Sequence, residues 1–261
     1  MKLYKYRTFP ETTDAHKLGS DTSILGLFEG VTWASSRKYF NDPFDSHINY
    51  TKPTTAELKA LAQKLSGKEK RQIKAWVSKG RLTDEFFNFW PKIVAGFEDV
   101  VDSYPIYCFA SEPDNNILWS HYARDHTGFC IELEHPDFEY TKISYRDKLP
   151  EIAGIDLIKA AHNIDTERIG TLIYNSLHTK MDYWQVENEL RHLAKGRLPP
   201  GYKGQKIPFP ENSITAIIFG HNTNPAHQNY VINNLPYKTT FKKARVDRQL
   251  SKIIIEELNA R

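Results

Sequence analysis

Tyr183-Trp-Gln-Val-Glu-Asn-Glu-Leu-Arg191 is the stretch on which the reading of the fold turns. As a strand, period-two geometry puts Glu187, Glu189 and Arg191 on one face and Trp184, Val186 and Leu190 on the other. Two carboxylates and a guanidinium would then stand side by side above a sheet. As a helix, Glu187 and Arg191 form an i,i+4 pair worth only about 0.2–0.5 kcal/mol. Val186, Leu190 and Leu193 then make an ordinary core stripe. The residues by themselves favour the helix. Either way the pair invites chemistry: close carboxylates push their pKa values apart and leave one as an acid or a cation stabiliser. They could equally hold Mg²⁺ through oxygen, and Arg191 would keep at least one of them ionised.

Upstream, Ala34-Ser-Ser-Arg-Lys-Tyr-Phe-Asn-Asp-Pro-Phe-Asp45 follows a strand expected over residues 31–34. Asn-Asp-Pro favours a turn, because proline fixes its own φ and disfavours helix at the residue before it. Phe40 and Phe44 would pin that turn to a core. Polar side chains on a loop held so firmly make a binding site, and the alternative is a purely structural Asx-capped turn. A third cluster, Asn115-Asn-Ile-Leu-Trp-Ser-His-Tyr-Ala-Arg124, has helical spacing with an aromatic and a polar side. His121 is read as a base or as a hydrogen-bonded core histidine, and His126 as a loop residue. Gly128 is expected to permit the turn into the next strand. His221 falls where a strand ends and a helix begins.

The 261 residues include 40% hydrophobic and 13% aromatic side chains, enough for a proper core. The 35 basic residues nearly balance 32 acidic ones, which gives no overall electrostatic footprint for tight nucleic-acid binding. Lys64, Lys68, Lys70, Arg71, Lys74, Lys79 and Arg81 read as the solvated side of amphipathic helices. Cys108 and Cys130 have no metal-type spacing and read as buried thiols in a reducing compartment. No apolar run approaches the length of a membrane span, and no signal-peptide core follows Met1. A cytoplasmic protein without membrane association is expected.

Strands are expected at residues 2–7, 31–34, 45–50, 105–110, 129–133, 138–145 and 214–219, with one or two more between 237 and 256. Asp21 or Thr22 caps a helix that ends near Gly30. Thr54-x-x-Glu57 is a capping box, and further helices are expected at 69–79, 83–101 and 116–124. Two more fall between residues 151 and 178, and Asn224-Pro225 opens a last one. The result is one α+β domain over residues 1–261, with central, mostly antiparallel sheets and residues 53–103 as a helical insertion or cover. Walker, Gly-x-Gly-x-x-Gly, His-Glu-x-x-His and Gly-x-Ser-x-Gly patterns are missing, which argues against the enzyme classes that depend on them.

In order along the chain, these pieces resemble a widespread bacterial family known by a domain-of-unknown-function label. The resemblance rests on Leu3–Arg7, on Asn41-Asp-Pro-Phe-Asp45, on the segment from Cys108 to Ile131, and on Trp184-x-x-Glu-x-Glu-x-Arg191. It reverses the reading of 184–191 to a strand. The order Arg, then Ser-Ser, then Glu-x-Glu also resembles that of mono-ADP-ribosyltransferases, and this implies a split β core and NAD as substrate. By that resemblance Arg7 holds the NAD phosphates, with Lys5 and Arg37 as alternative cations. Ser35 or Ser36 orders the strand end and the ribose pocket, and Tyr39 or Phe40 stacks on nicotinamide. Glu189 bonds the ribose 2′-hydroxyl and stabilises the cation, while Glu187 orients the acceptor. Asn41, Asp42, His121 and Arg191 complete the expected cofactor-binding set.

The leading expectation is thus an NAD-using ADP-ribosyltransferase-like enzyme, a bacterial toxin or phage-defence effector with a protein or nucleic acid as acceptor. One alternative is a metal-dependent nuclease or phosphohydrolase with Asp42, Asp45, Glu187 and Glu189 as oxygen ligands. The lysine partner expected of such an enzyme is absent near the Glu pair in the sequence, which counts against it. The other is a non-catalytic partner-binding module in which Glu187, Glu189 and Arg191 are buried and paired with no adjoining cavity.

Overall fold

The computed structural model describes residues 1–135, 139–210 and 212–258. The chain begins β1 Leu3–Arg7, α1 Ala15–Ser20, α2 Thr22–Glu29, β2 Val31–Ser35 and β3 Asn49–Thr51. Then come α3 Thr55–Lys64, α4 Gly67–Ala75, the hairpin β4 Val77–Ser78 and β5 Arg81–Leu82, α5 Asp84–Asp102, β6 Ile106–Ala110 and α6 Asn116–Tyr122. The middle holds β7 Phe129–Leu133, β8 Thr141–Lys142, β9 Ser144–Arg146, β10 Glu151–Ala153, α7 Gly154–Ala161 and α8 Thr166–Leu177. The last part is β11 Thr179–Met181, β12 Glu189–Leu193, β13 Gly204–Pro208, β14 Ile214–Phe219, α9 Pro225–Asn234, β15 Thr240–Asp247 and β16 Lys252–Glu257.

Local chemistry explains several of these boundaries. Asp21 accepts from the Ser23 and Ile24 amides to start α2, which stops at Gly30 with φ of 64°. Both halves of the Thr54–Glu57 capping box form, and Asn224 caps α9 with Pro225 in its first turn. Other expectations shift. Residues 45–46 are turn and 47–48 are irregular rather than strand, so of this stretch Asn49–Thr51 pairs, with β10. Of the stretch expected at 138–145, Phe138 lies outside the described residues, and the rest splits into β8 and β9. Helix α4 stops at Ala75 because its chain turns into the β4–β5 hairpin.

The large sheet runs β13-β2-β6-β1-β7-β14-β15-β16, with β12 on β6 and β8 on β12. Among the described residues, only the β14–β15 neighbours in it are parallel. Strand β6 explains how a site arises here. One edge of it pairs with β12 over five residues. Its other edge meets β1 only at Tyr4↔Ala110 and β2 only at Ser35↔Ile106. Beyond those contacts β1 follows β7, and β2 follows β13. The sheet therefore opens between β1 and β2, with β6 behind the gap.

Three apolar clusters hold the leaves. Leu3, Phe109, Phe129, Ile131 and Ile217 pack with Leu27 of α2 and Val231 of α9. The alternate residues Tyr4, Tyr6, Cys130 and Ile218 pack under Trp119 of α6. Both faces of β7 are thereby buried, which accounts for its unbroken Phe-Cys-Ile-Glu-Leu run. Helices α3 to α5, within the segment expected as a helical insertion or cover, share a third cluster with α7, α8 and Ile106. Gly128 has a different role from the one expected. A Cβ there would come 2.1 Å from the Arg7 carbonyl oxygen, so the requirement is close approach of β1 rather than turn conformation.

Candidate functional site

The chain around Glu187 is neither one helix nor one strand. Asp182–Glu187 is a 3₁₀ segment, Asn188 takes left-handed backbone at φ 44°, and β12 begins at Glu189. The bend replaces strand alternation as the means of bringing Glu187, Glu189 and Arg191 together. All three are buried, and Arg191 has no exposure at all.

Their partners come from elements far apart in the chain. Arg191 grips both Asp45 carboxylate oxygens at 2.7 Å and Glu189 Oε1 at 2.6 Å, and also donates to Ser46 Oγ and the Leu177 carbonyl. Lys180, on β11, donates to Glu187 at 2.6 Å and to Glu189 at 2.9 Å, with Asp45 at 3.4 Å. The Lys180 ammonium also lies 5.1 Å from the centre of the Trp184 ring. Tyr122 gives its hydroxyl proton to Glu187 Oε1 at 2.8 Å, and Asn41 Nδ2 donates to the Tyr122 oxygen. Asp42 accepts from the Trp184 indole at 2.7 Å while closing the Asn-Asp-Pro turn through the Phe44 amide. The two motifs singled out in the sequence are thus each other's partners.

Charge in this cluster is fixed by neighbours. Burial works against the charged form of Glu189, but Arg191 and Lys180 outweigh it and hold its carboxyl well below the usual range. Burial likewise opposes the Lys180 ammonium, and Glu189, Asp45 and Glu187 together raise its pKa instead.

Across the gap in the sheet the balance is reversed. Lys5 donates to the Cys108 carbonyl at 2.8 Å, in place of a ladder bond that the divergence of β1 from β6 leaves unmade. Its ammonium also lies 4.9 Å from the centre of the Tyr107 ring. Arg7 donates to Thr32 Oγ1 at 3.1 Å. Among the described residues neither cation has a carboxylate within ion-pair distance. Burial, with Arg7 alongside, pushes Lys5 down to about 8.

Between the two poles lies a cavity of about 460 Å³, the size of a small-molecule site. It is lined by Arg7, Ser35, Tyr39, Phe40, Asn41, His121, Glu187 and Glu189 from the expected set. Lys5, Trp33, Asp45, Tyr122 and Lys180 line it as well. No family model, curated protein or solved structure matches the chain.

Three expected ligand contacts are not in the lining. Ser36 accepts from the Lys38 amide and starts a 3₁₀ turn, Arg37–Tyr39. Asp42 is occupied by Trp184, and Arg191 is spent on Asp45 and Glu189. Arg37, the alternative phosphate cation, instead joins Glu98, Asp102 and the Ser46 carbonyl. His221 lies on an exposed turn away from the cavity. The metal reading calls for four gathered carboxylates and a lysine partner, which the sequence does not show near the Glu pair. The structure places Lys180 amid Asp45, Glu187 and Glu189, so a side-chain cation holds the position a metal would need. No three His, Cys, Asp or Glu side chains among the described residues form a metal-type group. No helix among them is long and apolar enough to cross a membrane.

Lys180 is the residue that sequence reasoning missed. It lies seven positions before Glu187 on a three-residue strand that pairs only with β9. No local pattern marks it out from the chain's other lysines.

Proposed function

We propose that the cavity binds NAD across its two poles and that the chain cleaves the nicotinamide–ribose bond, transferring ADP-ribose to an acceptor. The observation that carries this reading is the pairing of opposite poles in one hollow: Lys5 and Arg7 without carboxylate partners, facing Glu187 and Glu189. Lys5 and Arg7 are half-buried, and cations partly withdrawn from water without a carboxylate partner call for an anion. A pyrophosphate supplies one, and Arg7 meets it with a planar fork. Tyr39 and Phe40 offer ring faces to nicotinamide.

In the reaction the C1′–N bond breaks with both electrons leaving on nicotinamide, which cancels its ring charge. The ribose C1′ is left as an oxocarbenium-like cation beside the fixed negative charge of Glu189 and Glu187. An acceptor hydroxyl, amine or water adds at C1′ and gives up a proton. Consumption of NAD in this way would suit a bacterial toxin or phage-defence effector. The buried Asp45–Arg191–Glu189 cluster is what a non-catalytic module would also contain, but the adjoining cavity favours a ligand site.

Nicotinamide release from NAD, followed against pH, tests this reading. Lys5 must be charged to hold the anion, and it loses its proton as pH rises through about 8. The KM for NAD is expected to rise about tenfold from pH 7 to pH 9. Lys5→Met should start from the higher KM and lose that dependence. No release by the wild-type protein, or a flat KM profile, would overturn the proposal.

A further inference from the structure

One side of the cavity mouth carries exposed rings beside lysines that no carboxylate among the described residues pairs with. Trp33 on β2 and Tyr39 line the cavity yet remain 47% and 46% exposed, and Tyr202, just before β13, is 63% exposed. The Lys203 carbonyl accepts from the Ser36 amide at 2.9 Å, and the Lys203 ammonium lies 5.4 Å from the centre of the Tyr39 ring. Gly204 lets the indole lie close, since a Cβ there would fall 2.5 Å from Trp33 Nε1.

The two segments that build this rim, residues 31–40 and 195–208, contain six Lys and Arg and no Asp or Glu. Three of the six are engaged. Arg37 pairs with Glu98 and Asp102, Lys206 pairs with Glu29, and Arg197 stacks on Tyr104. Lys38, Lys195 and Lys203 are exposed, and among the described residues no carboxylate pairs with them. The Lys195 carbonyl accepts from Gln205 on β13, which ties that lysine's segment to the same edge of the sheet.

Exposed rings interleaved with free cations match a polyanion that also presents aromatic faces. Bases stack on such rings with little regard to sequence, and lysines take the phosphates. A duplex keeps its base faces hidden, and an acidic peptide would use the lysines but not the rings. We propose that this rim docks single-stranded nucleic acid at the mouth of the cavity. Docking goes beyond the NAD reading, because it requires neither NAD nor the buried carboxylates.

Fluorescence anisotropy of the full chain, without NAD, tests the proposal against three labelled probes: a 12-nucleotide single strand, the duplex of that sequence, and a polyglutamate peptide. The single strand is expected to bind at least about tenfold more tightly than either of the others. Its log affinity should fall with log salt at a slope of about −2 for three phosphate contacts. Trp33→Ala should weaken it about fivefold or more, and Lys203→Gln should make the slope shallower by about 0.7. If Trp33→Ala lowers the melting temperature, the double variant Lys38→Gln/Lys203→Gln, altered only at exposed side chains, decides by its slope. Equal binding of the duplex or of polyglutamate, no binding of the single strand at 50 mM salt, or an unchanged slope in the lysine variants would overturn the proposal.

Discussion

Replacing Arg191 by methionine is expected to destabilise the protein by about 3–5 kcal/mol in urea unfolding. The guanidinium is fully buried and serves Asp45, Glu189, Ser46 and the Leu177 carbonyl at 2.6–2.8 Å. Methionine fills much of the space but leaves Asp45 and Glu189 with Lys180 as their remaining cation. Lysine at the same position should recover only part of the loss, because one ammonium cannot reproduce three nitrogens that separately serve Glu189, Ser46 with Leu177, and Asp45. The variant should also respond differently to acid. Glu189 has a folded pKa depressed below its ordinary 4.5. The stability it contributes is complete above that value and fades as pH falls below it. Arg191→Met should show a smaller drop in stability over that acid range. A loss under about 1 kcal/mol would mean that the cluster does not tie the two motifs together.

Those motifs show what could be read from the residues and what could not. Asn41-Asp-Pro-Phe-Asp45 and Trp184-x-x-Glu-x-Glu-x-Arg191 declare themselves through turn chemistry and charge spacing. The Thr54–Glu57 and Asn224-Pro225 caps are equally local, and the helices they start are found where expected. What joins the motifs is not local. The indole of Trp184 reaches Asp42 across 142 positions, and the fork of Arg191 reaches Asp45 across 146. Residues 184–191 defeat a reading by period because Asn188 takes a left-handed conformation that joins a 3₁₀ turn to a strand. Strand β13, Gly-Gln-Lys-Ile-Pro, shows no hydrophobic alternation and escapes notice for that reason. The opening between β1 and β2 depends on how three strands from distant parts of the chain pair with β6, and no window of sequence contains it.

Glu187→Gln is the second variant with a large expected effect. Glutamine keeps the length, its amide oxygen can still accept from Lys180, and its NH2 can donate to the Tyr122 hydroxyl oxygen, so folding should survive. The negative charge facing the cavity is removed, and Lys180 keeps Glu189 and Asp45 as carboxylate partners. If that charge stabilises a cation at C1′, nicotinamide release should slow by about 10²–10³-fold in kcat with KM little changed. A variant that retains more than about a tenth of wild-type kcat would exclude Glu187 from the chemistry. Glu189→Gln is a less selective probe, since it also unbalances Arg191 and should lower stability and activity together.

The proposed transferase chemistry depends on NAD spanning the cavity from the Lys5–Arg7 pole to the Glu187–Glu189 pole. A crystal structure with a carbocyclic, non-cleavable NAD analogue tests that placement most directly. The account predicts pyrophosphate oxygens within hydrogen-bond distance of Lys5 Nζ and the Arg7 guanidinium, with the nicotinamide ribose against Glu187 and Glu189. An analogue that leaves the cavity empty, or that sets its pyrophosphate away from both cations, would contradict it.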